Sequence, residues 1–158
     1  MDKQEFNRIV KEMFTQYGFK KKRDRYMLLF DEVMISCQLY TWNSVRSFNY
    51  WVSINAVYDD SVPLEKRVGS YVCVKMEHSP EAVGYHKAEI VYEEYDEEKC
   101  RRILNYLLHT YFDPYKQDAT QYVKDNYEWL TIRPEGLKCL GIEPPLVRRR
   151  HPIKQDAE

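Results

Sequence analysis

The sequence predicts an α+β domain, in which helices pack on one face of an antiparallel sheet. Apolar residues recur at intervals of three and four towards both ends of the chain, and apolar and polar residues alternate in its middle. We therefore expect an N-terminal helix, a sheet of four or five strands, and two or three C-terminal helices on one face. The length of 158 residues fits one domain, which we place at residues 1–142, followed by a tail at residues 143–158.

The first helix is predicted over residues 2–17. Asp2 can cap its start, because a carboxylate at that position accepts hydrogen bonds from the first free backbone amides. Gly18 can end it, because glycine readily adopts the left-handed conformation found at helix ends. The residues at helical spacing form an apolar stripe that must pack on the sheet: Phe6, Ile9, Val10, Met13, Phe14 and Tyr17.

A period of two over residues 48–58, FNYWVSINAVY, is the strongest local pattern in the chain. Residues 33–42, VMISCQLYTW, repeat the alternation. We expect these segments to form a long antiparallel hairpin at the middle of the sheet, joined by the polar connection TWNSVRS at residues 41–47. Shorter strands are predicted at residues 26–30, 71–76 and 88–92.

Two helices are predicted after the sheet. The first begins after Asp96, a suitable capping residue, and runs to about Phe112, because Pro114 cannot continue it. Its apolar face consists of Cys100, Ile103, Leu104, Leu107, Leu108 and Tyr111. The second is predicted over residues 119–130, with Tyr122, Val123 and Tyr127 directed inward.

Composition limits the class of protein. The chain has 24 basic and 25 acidic residues, a net charge of −1, whereas dedicated nucleic-acid binders carry a basic excess. It has no apolar run of about 18 residues, as a membrane span needs, and its N-terminal stretch lacks the apolar core of a signal peptide. The four cysteines are far apart, as expected for small buried side chains in a reducing compartment. We therefore predict a cytoplasmic protein with no membrane partner.

Motifs of enzymes and cofactor sites are not found. The chain has no P-loop, GxGxxG, GxSxG, CxxC or HExxH motif, and its five glycines are not clustered. His78 and His86, with Glu77 or Glu81, are a weak signal for a metal site. His109 is interpreted as a residue on the flank of a helix. The sequence predicts no catalytic residue, no metal and no cofactor. It therefore favours a protein that is not an enzyme.

A basic cluster, KKKRDR, occupies residues 20–25. As a functional element it would bind phosphate groups. We favour the alternative, a solvated connector whose charges protect a nearby sheet edge, because no aromatic residue is interleaved and the chain elsewhere is acidic. Nucleic acid is therefore not the partner we expect.

The best candidate for a binding site is the polar face of the predicted sheet. Trp and Tyr give a large contact area at a small entropic cost, so a face that combines them with amides suits protein recognition. The alternative is that a helix covers this face and satisfies its polar groups internally. The residues that alternation assigns to the face are Gln38, Tyr40, Trp42, Asn49, Trp51 and Asn55.

Short motifs in residues 1–76 carry a resemblance to a known family. They are YGFKKK at residues 17–22, Gln38 with Trp42-Asn43 beyond it, Asn55 followed by Ala56-Val57, and Arg67-Val68-Gly69. In these features the chain resembles the bacterial family called domain of unknown function 4304. The resemblance implies the same α+β order and brings no activity and no catalytic residue.

The function that the sequence favours is a small cytoplasmic bacterial module that binds another protein. Bacterial domains of this size and style resemble immunity proteins encoded beside secreted toxins, so a toxin-like neighbouring gene would favour that form of the hypothesis. The alternative is a small-ligand-binding domain or unorthodox enzyme with a cleft between the sheet and the later helices. There Arg67 or His86 would handle an anion or a proton.

Overall fold

A computed structural model of the chain describes residues 1–30, 33–42, 45–54, 70–75, 90–126 and 141–143, with only the backbone described at residues 40–42, 45–54 and 70–75. Short 3₁₀ turns occupy Tyr92–Glu94 and Asp113–Lys116. The α+β class, with an N-terminal helix, an antiparallel sheet and C-terminal helices, is confirmed. In chain order the elements are α1 Lys3–Tyr17, β1 Lys20–Lys22, β2 Arg25–Phe30, β3 Val33–Trp42, β4 Val45–Ile54, β5 Ser70–Lys75, α2 Glu97–Phe112 and α3 Ala119–Asp125.

Both predicted ends of α1 are confirmed. Asp2 Oδ1 accepts hydrogen bonds from the backbone N–H groups of Gln4 and Glu5 at 2.8 and 2.9 Å. Gly18 lies at φ 118°, in the region that favours glycine. The Phe19 N–H then bonds to the Phe14 carbonyl at 2.9 Å, and the two rings pack with centroids 5.1 Å apart. The helix end therefore turns the chain back onto the apolar stripe and into β1.

The described sheet is antiparallel in the order β1-β2-β3-β4-β5. One face packs against the helices, and we call it the helix face. The hydrophobic core lies between this face and the helices, and it includes Phe6, Ile9 and Val10 of α1. The rows shared by β2 and β3 on this face are Tyr26–Cys37, Leu28–Ile35 and Phe30–Val33.

The hairpin at the middle of the sheet has a shorter connection than predicted. The first strand ends at Trp42, as predicted. Trp42 pairs with Val45, so the second strand begins at Val45 rather than at the predicted Phe48. Cross-strand hydrogen bonds satisfy backbone groups whatever the side chain, so polar residues such as Thr41 and Ser47 continue the two strands. Residues 43 and 44, between the strands, lie outside the described ranges.

α2 supplies the largest part of the helical core. Asp96 Oδ1 caps it by accepting from the Lys99 N–H at 2.7 Å, as predicted. Its fully buried residues are Cys100, Ile103, Leu104, Leu107, Leu108 and Phe112. On the surface, Arg101 donates to both oxygens of Glu12 on α1, at 3.1 and 2.9 Å. Such exposed pairs align the two helices but add little stability beside the buried face.

Two predicted boundaries are corrected after the sheet. α3 ends at Asp125 rather than Leu130, because Asn126 caps it: the Asn126 amide donates to the Tyr122 carbonyl at 2.8 Å. Tyr92 begins a 3₁₀ turn rather than ending a strand, and its ring stacks on Phe6 with centroids 5.0 Å apart.

Candidate functional site

A cavity opens where the C-terminal ends of α1 and α2 meet the Asp113–Lys116 turn. Its volume is about 330 Å³, at the lower end of the range of roughly 300–1,000 Å³ typical of small-molecule sites. The lining combines apolar side chains with amides, a ring and a cation: Met13, Gln16, Tyr17, Asn105, Leu108, His109 and Lys116.

Asp113 organises one wall of this cavity. Its Oδ1 accepts from the Tyr17 hydroxyl at 2.6 Å and lies 2.8 Å from the Lys116 ammonium. Its Oδ2 lies 2.7 Å from His109 Nδ1. Three side chains that line the cavity are thus held by one carboxylate, and we call these four residues the Asp113 cluster.

Local structure explains why the cluster forms. His109 is in the last turn of α2, so it shares a helical face with Asp113, four residues later. Pro114 lies in the 3₁₀ turn that follows α2, and this turn carries Lys116 back over the end of α1. There the Lys116 ammonium lies 3.9 Å from the centroid of the Tyr17 ring, a cation–π contact.

Mutual electrostatics fix the protonation of the two groups at the centre of the cluster. The Lys116 ammonium and the Tyr17 hydroxyl hold the pKa of Asp113 well below its ordinary value. Burial, and then the hydrogen bond to Asp113, raises the pKa of Tyr17. At neutral pH Asp113 is therefore an ionised acceptor and Tyr17 a neutral donor.

The His109 tautomer follows from this charge. An ionised carboxylate only accepts hydrogen bonds, so His109 Nδ1 carries the proton in its contact with Asp113. In the neutral ring the other nitrogen, Nε2, is then a hydrogen-bond acceptor. A carboxylate that orients an imidazole is also the arrangement used by general bases, but the described side chains that line the cavity include no Ser, Thr or Cys.

The sheet face predicted as a binding site is the one opposite the helix face, and we call it the second face. In the register, Gln38 pairs with Asn49, and Trp51 pairs with Ser36 of β3. Tyr40 and Trp42 follow at alternate positions of β3. The register therefore brings five of the predicted residues to one face: Gln38, Tyr40, Trp42, Asn49 and Trp51. Of these five, Gln38 is the one whose side chain is described.

Part of the second face is covered within the chain. Met34 and Ser36 are only 5% and 4% exposed, although both lie on this face. Gln38, further along β3, is half-buried and donates from Nε2 to Asp24 Oδ2 at 2.5 Å. The described part of this face is therefore buried at Met34 and Ser36 and more exposed at Gln38.

Several predicted positions lie outside the described ranges. These are the binding candidates Asn55 and Arg67, and His78 and His86 with the glutamates beside them. Among the residues that are described, no group of three or more His, Cys, Asp and Glu side chains could hold a metal ion. Within the same ranges, no helix combines the length and apolar character of a membrane span.

Sequence reasoning missed the Asp113 cluster. In the stretch HTYFDPYK at residues 109–116, His109, Asp113 and Lys116 are four and three residues apart. This spacing could have predicted that the three side chains meet at the end of α2. Tyr17, some ninety residues earlier, joins them only through the packing of α1 on α2. His109 does lie on an exposed flank of α2, as predicted, but it also lines the cavity.

Comparison with known proteins gives no family, curated relative or solved structure that matches this chain. The resemblance to domain of unknown function 4304 therefore stays a prediction.

Proposed function

We propose that this protein is a small-ligand-binding domain whose site is the cavity beside the Asp113 cluster. The observation that carries the proposal is the convergence of Tyr17, His109 and Lys116 on one carboxylate at the cavity wall. A wall held in this way costs little entropy to order when a ligand binds. The site lies between helices, rather than between the sheet and the helices as the sequence suggested.

The lining defines the class of ligand. Met13 and Leu108 offer an apolar surface, while the Gln16 and Asn105 amides and His109 Nε2 offer hydrogen bonds. Because Asp113 already neutralises Lys116, the cavity has no large net charge to attract a polyanion. A compact, nearly neutral molecule with one apolar side and a few hydrogen-bonding groups fits both the size and the chemistry.

A thermal-shift screen with a library of neutral polar metabolites tests the proposal. A ligand present at a hundred times its Kd adds about 2.7 kcal/mol to the free energy of unfolding. For a chain of this size that corresponds to a rise of roughly 5–10 °C in Tm. We expect His109→Ala to abolish the rise.

The matched control is Tyr106→Ala, on the same helix. Tyr106 is 40% exposed and is outside the lining of the cavity. Its substitution should leave the rise unchanged. A library without hits, or hits that bind His109→Ala as tightly as the wild type, would remove the cavity as a ligand site.

Protein recognition through the second face is the second candidate. It is supported by the register, which aligns Gln38 with Asn49 and assigns Trp51 to the same face. Affinity capture from the source cell's lysate, after nuclease treatment, should retain one stoichiometric protein. Trp51→Ala should release it with little change in Tm. A loss of several degrees with capture intact would instead assign Trp51 to the core.

A further inference from the structure

The basic cluster, predicted as a solvated connector beside a sheet edge, forms the β1–β2 hairpin. β1 pairs with β2 so that Lys22 is opposite Arg25, with Arg23 and Asp24 between them. Arg23 has φ 56°, a left-handed conformation typical of tight hairpin turns. Residues 20–25 are all exposed, and they hold five of the 24 basic side chains in the chain. β1 is also the edge of the described sheet.

Three cations of this hairpin, Lys20, Arg23 and Arg25, differ from the arginines of α1 and α2 in their contacts with described carboxylates. Asp24, the one acidic residue of the hairpin, accepts from the Gln38 amide and offsets one of the hairpin's five cations. Among contacts between described side chains, none joins Lys20, Arg23 or Arg25 to a carboxylate. On the α1–α2 surface, by contrast, the arginines are paired: Arg8 with Glu12 and Glu97, Arg101 with Glu12 and Glu97, and Arg102 with Glu98.

The sheet extends this charge across the second face. One cross-strand row contains, in order, Lys22, Arg25, Gln38, Asn49 and Lys75. Every residue in the row is a cation or an amide. With strands about 4.8 Å apart, a row across five strands spans roughly 19 Å. Within this row Lys22 and Arg25 are exposed and Gln38 is half-buried, whereas Met34 and Ser36, earlier in β3 on the same face, are buried.

We propose that this row and the β1–β2 hairpin form the docking surface for a protein partner that presents a cluster of Asp and Glu side chains. Charge complementarity of this kind steers association and selects the partner. The inference deepens the second candidate function, on which it rests, and it is independent of the cavity.

Nucleic acid fits this surface less well than an acidic protein does. A polynucleotide needs a basic track along which successive phosphates bind. The described arginines on α1 and α2 are each paired with a carboxylate, so these arginines do not prolong the positive charge of the hairpin. A compact carboxylate cluster needs only the row and the hairpin.

Fluorescence anisotropy with two labelled probes tests the inference. The first probe is a peptide of alternating glutamate and serine, and the second is a single-stranded oligonucleotide with the same number of negative charges. At low ionic strength we expect the full chain to bind the peptide more tightly than the oligonucleotide. The variant Lys20→Glu/Arg25→Glu should weaken peptide binding about tenfold or more. The variant Lys20→Gln/Arg25→Gln should give an intermediate loss and keeps the test valid if charge reversal disturbs the hairpin.

The matched control reverses two exposed lysines elsewhere, Lys3→Glu/Lys11→Glu on α1. It changes the net charge by the same amount and should weaken peptide binding far less. Equal losses in both double variants, no binding of the peptide, or tighter binding of the oligonucleotide would each overturn the inference. Failure of the underlying function is seen separately, as the absence of a protein captured from lysate.

Discussion

Replacing Asp113 by asparagine tests whether the Asp113 cluster holds the wall of the cavity. The substitution keeps the shape of the side chain and removes its charge. The new amide oxygen can still accept from the Tyr17 hydroxyl, which lies 2.6 Å from Asp113 Oδ1. The new NH2 group then takes the place of Oδ2 and meets the Nδ1–H donor of His109, which now lies 2.7 Å from Oδ2. The Lys116 ammonium, 2.8 Å from Oδ1, keeps an acceptor but loses its charged partner.

The expected loss follows from these contacts and their exposure. A hydrogen bond to a charged group contributes about 1.5–3 kcal/mol to the free energy of unfolding when it is shielded from solvent. The Asp113, His109 and Lys116 side chains are 42%, 51% and 46% exposed, so solvent screens their interactions to well under 1 kcal/mol each. With the half-buried Tyr17 bond included, we expect Asp113→Asn to lower the free energy of unfolding by about 1–2 kcal/mol. The corresponding fall in Tm is roughly 2–8 °C.

The loss should also depend on pH. The pKa of Asp113 is lower in the folded protein than its ordinary value, which is about 3.9 in an unfolded chain. The stabilisation is therefore complete above that unfolded value and is lost as the pH falls through the folded one. The difference between wild type and Asp113→Asn should be constant above about pH 5 and should shrink towards pH 3.

Urea denaturation followed by circular dichroism, at pH 7 and pH 3, measures both quantities. Asp125→Asn is the control, because Asp125 accepts from one neutral group, the Gln121 amide at 2.7 Å, and should cost under about 0.5 kcal/mol. A double-mutant cycle with Tyr17→Phe should give a coupling of about 0.5–1 kcal/mol. Two outcomes would refute the role proposed for the Asp113 cluster. One is a loss of unfolding free energy in Asp113→Asn that is no larger than in the control, and the other is a loss that does not change with pH.

Three further predictions concern the buried core and the C-terminal end of α1. Phe14 is fully buried and its ring lies 5.1 and 4.8 Å from the rings of Phe19 and Tyr26, so Phe14→Ala should cost about 3–5 kcal/mol in urea denaturation; a cost below about 1.5 kcal/mol would contradict this packing. Gly18→Ala should lower the free energy of unfolding by about 1–2 kcal/mol, because alanine is strained at a positive φ. The new Cβ itself has room, since its nearest neighbour, Leu28 Cδ1, is 3.5 Å away. The absence of a measurable loss would contradict the left-handed conformation at this helix end. Burial raises the pKa of Cys37, and raises that of Cys100 to about 12. Both thiols should therefore react with Ellman's reagent only after the protein unfolds. Peptide mapping that finds either cysteine labelled in the native protein would contradict its burial.

The candidate sites differ in how far sequence could predict them. The alternation in residues 33–42 and 48–54 correctly assigned faces, because a strand has a fixed period of two. It could not show that Met34 and Ser36 are covered, because burial of a face depends on what packs above it. Nor could the basic cluster be placed beside Gln38 and Asn49, because register is a property of strand pairs and not of one strand.

What the sequence by itself determined is local and periodic: the α+β class, the apolar stripes of α1 and α2, and the caps Asp2, Gly18 and Asp96. These follow from backbone geometry and from hydrogen bonds between near neighbours, which a short stretch of sequence encodes completely. The tertiary structure alone decided that Tyr17 meets Asp113. It also decided that five polar residues of five strands form one row. Both depend on how separate elements are aligned, and that alignment is set by packing over the whole core rather than by any local pattern.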